Sequence, residues 1–170
     1  MISKVTKKDI PALKGLVNSA FRGETSKKGW TTEEHLLDGI RTNEELLAES
    51  MQEKGTTLLK YVENGTILGM VMLKNQKDKL YLGMLTVSPD LQGGGIGKKL
   101  LYAAEDFAKK HQLPKIAMTV ISVRQELIDW YKRHGYVLTG ETQPFPMNEN
   151  KFGLPKQFLE FVVMEKHVRG

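Results

Sequence analysis

Val87-Ser88-Pro89-Asp90-Leu91-Gln92-Gly93-Gly94-Gly95-Ile96-Gly97-Lys98-Lys99-Leu100 is the stretch that decides the fold. Lys79 to Val87 reads as a strand, stopped by Ser88-Pro89. Gly97 to Lys110 reads as a helix with Leu100, Leu101, Ala104 and Phe107 on its inner side. The glycines at 93, 94, 95 and 97 let the chain turn through positive φ and let a ligand approach the backbone. A strand, a glycine turn and a helix start aim free N–H groups and the positive helix end at one point. That is an anion site, and phosphate is its usual occupant. Lys98 and Lys99 add charge beside it.

Two common phosphate loops do not fit. A Walker loop needs Gly-x4-Gly-Lys-Ser/Thr, but Gln92 stands where its first glycine belongs and Lys99 where its hydroxyl belongs. The dinucleotide fingerprint Gly-x-Gly-x-x-Gly meets Lys98 when counted from Gly93 and Leu100 when counted from Gly95.

Upstream of the turn, Ile10, Leu13, Leu16, Val17 and Ala20 mark one face of a helix over residues 8–21. Thr31-Thr32-Glu33-Glu34 opens a second helix carrying Leu36, Leu37 and Ile40, and Asn43 caps a third. Thr56 to Glu63 and Thr66 to Lys74 are strands joined by Asn64-Gly65, the dipeptide of a tight hairpin. Downstream, Lys115 to Val123 reads as a strand and Gln125 to His134 as a short helix. Tyr136 to Thr139 begins a strand, Pro144 to Pro155 is a loop, and Gln157 to Lys166 is the last strand. Hairpins early and crossovers late predict an α/β domain with helices on both faces of a mixed, mostly antiparallel sheet of six to seven strands. Residues 1–170 read as one domain, with no repeat and no linker.

Composition narrows the class further. The chain has 170 residues, 40% hydrophobic and 26% charged, which fits an ordinary globular domain and excludes wholesale disorder. No apolar run approaches the ~18 residues a membrane span needs. Met1 to Val5 leads into an amphipathic segment without the apolar core of a secretory signal. With no cysteine, disulfides, thiolate metal sites and cysteine-acyl chemistry are excluded, and a cytoplasmic location is expected. The net charge of +5 favours an anionic partner, but lysines adjoin at most in pairs and never form a basic block, so no nucleic-acid partner is expected. No His/Asp/Glu cluster has metal-ligand spacing.

Gln92, Gly95 and Gly97 form Gln-x-x-Gly-x-Gly, five residues after the Val of a Val-x-Pro strand end. This resembles the pyrophosphate-binding signature of the GNAT superfamily of acyl-CoA-dependent N-acetyltransferases. A second stretch, from Val120 through Trp130-Tyr131 to Gly135-Tyr136, is similar to that superfamily's other hallmark, a strand followed by a short helix with an aromatic-Tyr pair. Together the hallmarks cover residues 56–140. The resemblance implies acetyl-CoA as acyl donor, with no metal. Its pyrophosphate is expected on the backbone of Gly93, Gly94, Gly95, Ile96, Gly97 and Lys98, beside Gln92, and its pantetheine arm along Leu85, Thr86 and Val87. It also implies Tyr131 as the group that protonates the leaving thiolate; a phenol of ordinary pKa ~10 stays protonated at neutral pH, as a general acid must. Arg124 stands where many members carry Asn, and is expected to reach a phosphate or pantetheine carbonyl instead.

The resemblance places the acceptor between the first helices and the segment joining the last strands. There Trp30, Thr31 and Glu33, and Glu141 before Pro144-Phe145-Pro146, mix aromatics with carboxylates and suit a cationic amine. Some members carry a Glu base on the strand before the glycine turn; here Tyr81 holds that place, so the base falls to Glu141 or Glu33 acting through water, or to no single residue. The function expected is transfer of an acetyl group to a primary amine of a small molecule, by direct attack in a ternary complex. A protein amine as acceptor, or a silent CoA-binding sensor, is the alternative. No membrane partner is expected, and the resemblance makes a homodimer reasonable.

Overall fold

Asn64 and Gly65 both take positive φ (51° and 77°), as the predicted two-residue hairpin turn requires. They join β3 (Thr56–Glu63) to β4 (Thr66–Asn75), and Glu63 pairs with Thr66 across the turn. The computed structural model describes residues 1–21, 37–38, 44–88, 94–144, 154–155 and 160–168. In chain order the other elements are β1 (Ile2–Lys4), α1 (Ile10–Phe21), β2 (Leu37–Asp38) and α2 (Glu44–Gln52). After the hairpin come β5 (Leu80–Val87), α3 (Ile96–Lys110), β6 (Lys115–Ile121), α4 (Gln125–Arg133), β7 (Val137–Pro144), β8 (Leu154–Pro155) and β9 (Glu160–His167).

Seven strands form one sheet in the order β1-β3-β4-β5-β6-β9-β7. Every neighbouring pair is antiparallel except β5 with β6, which α3 connects as a crossover. Alternation along the strands sorts the core onto two faces. Leu80, Leu82, Ile116 and Met118 meet Leu100, Leu101 and Ala104 of α3 on one face. Leu58, Met70 and Met72 meet Leu13 and Val17 of α1 and Leu47 of α2 on the other. Each fully buried side chain of this kind stabilises the fold by about 2 kcal/mol. Among the described residues no helix is long and apolar enough to cross a membrane.

The structure departs from the sequence reading in three places. Leu37–Asp38, expected inside a helix, is a strand paired with Leu154–Pro155, itself expected to be loop. That antiparallel bridge is a tertiary contact, which overrides a short helical periodicity. Ile2–Lys4 adds an edge strand against Leu59–Tyr61, too short to show a period of its own. The Lys60–Asp9 ion pair (2.7 Å) pins the turn that follows. Finally, β6 stops at Ile121 instead of Val123, because the Arg124 N–H turns back to the Ile121 carbonyl and starts α4.

Candidate active site

The site begins where two strands part. β5 and β6 pair only at Leu80↔Ile116 and Tyr81↔Ala117. Beyond that, β5 stays on β4 as far as Val87↔Gly69, and β6 stays on β9 as far as Ile121↔Phe161. The edge of β5 from Leu82 to Thr86 therefore has no ladder partner on β6, and its backbone groups are offered to a ligand. A bulge sharpens this. Met72 pairs with Gly83 and Met70 with Thr86, so β5 carries one residue more than β4, and Met84 sits at φ 50°. The Thr86 hydroxyl holds the bulge by donating to the Met84 carbonyl (2.9 Å). Leu85, Thr86 and Val87 are buried, so they can serve a ligand only through their backbone.

The second part is the start of α3. Gly95 is its N-cap at φ 88°, and no side chain among the described residues caps the helix. The first-turn N–H groups are thus left for a ligand, and with the positive helix end they suit a pyrophosphate. Ile96 is buried in the core, so its N–H and not its side chain is available. Gly97 lies under an indole: a Cβ there would meet Trp130 at 3.2 and 3.3 Å. Lys98 is exposed and lies over the Tyr102 ring at 5.6 Å, whereas Lys99 is turned to Tyr61 (3.3 Å to its hydroxyl). Gln92 and Gly93 lie outside the described residues. What is described fits acetyl-CoA: unpaired strand backbone for an amide-bearing arm, and uncapped helix N–H groups for its phosphates.

The third part is α4, the most amphipathic in sequence of the late helices. It lays Tyr131 and Ile128 inward. Tyr131 is buried, and its hydroxyl has no hydrogen-bond partner among the described residues. Burial pushes this phenol well above its ordinary value; the nearby Arg124 charge pulls it back in part, and Tyr81 pushes it up further. Arg124 is only 1% exposed and donates from Nε to Glu126 (2.8 Å). The far end of α4 is anchored by Lys166 of β9, which donates to the His134 carbonyl (3.0 Å) and pairs with Glu105 of α3 (2.8 Å). The Tyr131 carbonyl accepts from the N–H groups of His134 and Tyr136 (3.0 and 3.1 Å).

On the opposite face of the sheet, the Tyr81 hydroxyl bridges to Thr119 Oγ1 of β6 at 2.9 Å. Glu141 lies on edge strand β7, in a bulge where the chain takes four steps from Leu138 to Thr142 against two on β9. It is exposed, and its carboxylate has no partner among the described residues. Trp30, Thr31 and Glu33 lie outside the described residues. The structure thus brings together the β5 edge, the α3 start, Arg124 and Tyr131, and leaves Glu141 apart at the sheet edge. The sequence reading missed Trp130 as the partner of Gly97 and Lys166 as the anchor of α4. The first had a signal, since glycine inside a helix costs about 1 kcal/mol unless close packing demands it. The second had none, because it joins three distant elements. Among the described residues no group of side chains could hold a metal ion.

Residues 25–146 match the family model described as an acetyltransferase (GNAT) domain. No curated protein matches the chain in sequence. Solved structures share the fold: the ribosomal-protein-S18-alanine N-acetyltransferase of Escherichia coli is 16% identical, over 100% of this chain and 94% of that one, with a TM-score of 0.74. The yncA protein of Salmonella typhimurium, solved with its cofactor acetyl-CoA, is 20% identical over 100% and 94%, with a TM-score of 0.69. Nourseothricin acetyltransferase matches 68% of this chain and 67% of its own at 20% identity and a TM-score of 0.59. With the family model spanning most of its length, the chain belongs to the GNAT acetyltransferase family and is an acetyl-CoA-dependent N-acetyltransferase.

Proposed function

We propose that this enzyme acetylates a primary amine of a small molecule, with Tyr131 as the proton donor. Bound acetyl-CoA supplies the acetyl group as a thioester, and transfer to a neutral amine releases a thiolate that must be protonated. The observation that carries the reading is the Tyr131 phenol: it is buried, it has no described hydrogen-bond partner, and burial holds it protonated far into the alkaline range. Such a group keeps its proton until a strong base arrives next to it.

The other chain groups serve position. The backbone of Leu85 to Val87 binds the donor arm as an added strand, and N–H groups at the bulge beside Met84 donate to a carbonyl oxygen. The N–H groups of Gly94 to Lys98 hold the phosphates, with Gln92 and Gly93 at the start of the same turn. Arg124 acts from inside, its charge next to the Tyr131 phenol. Glu141 serves the acceptor: an exposed carboxylate on a bulged edge attracts a cationic amine and takes its proton through water. Trp30, Thr31 and Glu33 complete the acceptor wall in this reading. With no cysteine in the chain, we place the enzyme in the cytoplasm.

A protein amine is the second acceptor class. The whole-chain fold likeness to an enzyme that acts on ribosomal protein S18 favours it. Thiol release from acetyl-CoA over polyamines, amino acids, aminoglycosides and short peptides decides between them, and a chain without cysteine adds no thiol background. Release with one small amine class supports the proposal. Release with peptides alone moves the assignment to protein amines, and silence with retained acetyl-CoA binding points to a sensor.

A further inference from the structure

Tyr81 and Thr119 form a bridge at the one place where the β5–β6 opening closes. Their strands are last paired at Tyr81↔Ala117, and Thr119 lies two residues further along β6, on the same face as Ala117. The Tyr81 side chain therefore reaches diagonally across the gap, and its hydroxyl meets Thr119 Oγ1 at 2.9 Å. Its ring also leans along β5 toward Gly83. A Cβ on Gly83 would come within 3.2 Å of Tyr81 Cε1 and 2.8 Å of the Met72 methyl. Ring, methyl and hydrogen bond together close the inner end of the opening on the α1 face.

The direction of the donor makes this end matter, and the inference rests on the placement of the donor arm proposed above. Phosphates at the start of α3 lie beyond the end of β5, so an extended arm runs back along the strand from Val87 toward Gly83. At about 3.3 Å per residue, those four steps span ~13 Å. The acyl end then faces the Tyr81–Thr119 bridge. We infer that this bridge fixes the length of the acyl group, holding the enzyme to acetyl among the CoA thioesters of short straight-chain acids. A longer chain must displace the Tyr81 ring or break its tether. One methylene in excess of a fitted apolar pocket is worth about 10-fold or more in kcat/KM.

The test measures thiol release, and separately the Kd by calorimetry, for acetyl-, propionyl- and butyryl-CoA. It compares the wild type with Tyr81→Ala and with Thr119→Val, which removes the tether at nearly constant volume. Wild type is expected to lose about 10-fold or more per added methylene. Tyr81→Ala is expected to raise the butyryl-to-acetyl ratio by about 10-fold or more, and Thr119→Val by a smaller factor. Tyr81→Leu replaces Tyr81→Ala should the latter fail to fold. Equal use of butyryl and acetyl by the wild type overturns the inference, as do wild-type ratios in the Tyr81 variants. Wild-type ratios in Thr119→Val overturn the role of the bridge even if Tyr81 matters. Length-dependent binding without thiol release to any amine sinks the acceptor proposal and supports this inference. No binding of any CoA thioester by the folded protein overturns the arm placement and the inference together.

Discussion

The Trp130 indole occupies the space in which a side chain at Gly97 would begin: a Cβ there would stand 3.2 Å from the ring. This contact joins the start of α3 to α4, and Tyr131 is the next residue along α4, its ring edge-on to Trp130 at 5.2 Å. The start of α3, proposed to hold the donor's phosphates, and Tyr131, the proposed proton donor, are therefore joined through Trp130.

Gly97→Ala separates stability from function at that contact. Alanine in a helix gains about 1 kcal/mol over glycine, and the crowding against Trp130 costs about 1–3 kcal/mol. The net loss is about 0–2 kcal/mol, so the melting temperature is expected to fall by no more than about 8 °C. The displaced indole tilts both α3 and Tyr131, so KM for acetyl-CoA should rise several-fold and kcat should fall with it. A variant with wild-type kinetics would show that the contact is packing alone.

Tyr131→Phe removes the proton and keeps the ring. Turnover is expected to fall on the order of 10²-fold, with the Kd for acetyl-CoA unchanged. The pH profile gives a second check. Since burial holds the phenol above its ordinary value, kcat of the wild type should not fall as pH passes ~10, where a free phenol ionises. An alkaline limb near that value, absent in Tyr131→Phe, would place the phenol in water.

Burial raises the Tyr136 phenol as well, and the nearby Glu105 charge and Tyr131 raise it further. Above pH ~10 the unfolded chain releases both phenolic protons while the folded chain keeps them, so the unfolded state binds fewer protons and stability falls as pH rises. The slope is about 1.4 kcal/mol per pH unit for each phenol. Tyr136 Oη is also buried without a hydrogen-bond partner among the described residues. Tyr136→Phe should thus be neutral or stabilising by about 1 kcal/mol at pH 7, and should halve the alkaline slope. Thermal melts between pH 7 and 11 read both effects, and an unchanged slope would contradict the burial of Tyr136.

Sequence legibility follows the range of the interaction. The Asn64-Gly65 hairpin, the end of β5 and the start of α3 on either side of the glycine stretch, and the amphipathic faces of α1, α3 and α4 are local patterns, and each lies where the sequence puts it. The Leu37–Asp38 pairing with Leu154–Pro155 joins segments more than a hundred residues apart, which no window of sequence spans. Within the candidate site, the end of β5 before the turn, the start of α3 at Ile96 and the inward face of α4 with Tyr131 were legible because each is a local pattern. The parting of β5 from β6, the Met84 bulge and the Tyr81–Thr119 bridge arise from pairing between strands, and register is written in partners rather than in spacing.

Lys166 shows how a residue on the last strand reaches the end of α4. Its ammonium pairs with Glu105, donates to the carbonyl of His134 at the end of α4 and lies over the Tyr136 ring at 5.8 Å. A cation suits that helix end, where carbonyls gather negative charge. Lys166→Met leaves Glu105 without its charge partner in a site where the two side chains are only 25% and 17% exposed. The cost is about 3 kcal/mol or less, or roughly 6–10 °C in melting temperature. If Lys166 acts on turnover by holding α4, kcat falls in Lys166→Met while Tyr131→Phe/Lys166→Met is no slower than Tyr131→Phe alone, because the position of a missing hydroxyl no longer matters. Additive losses in that cycle would mean that Lys166 stabilises the fold without placing Tyr131.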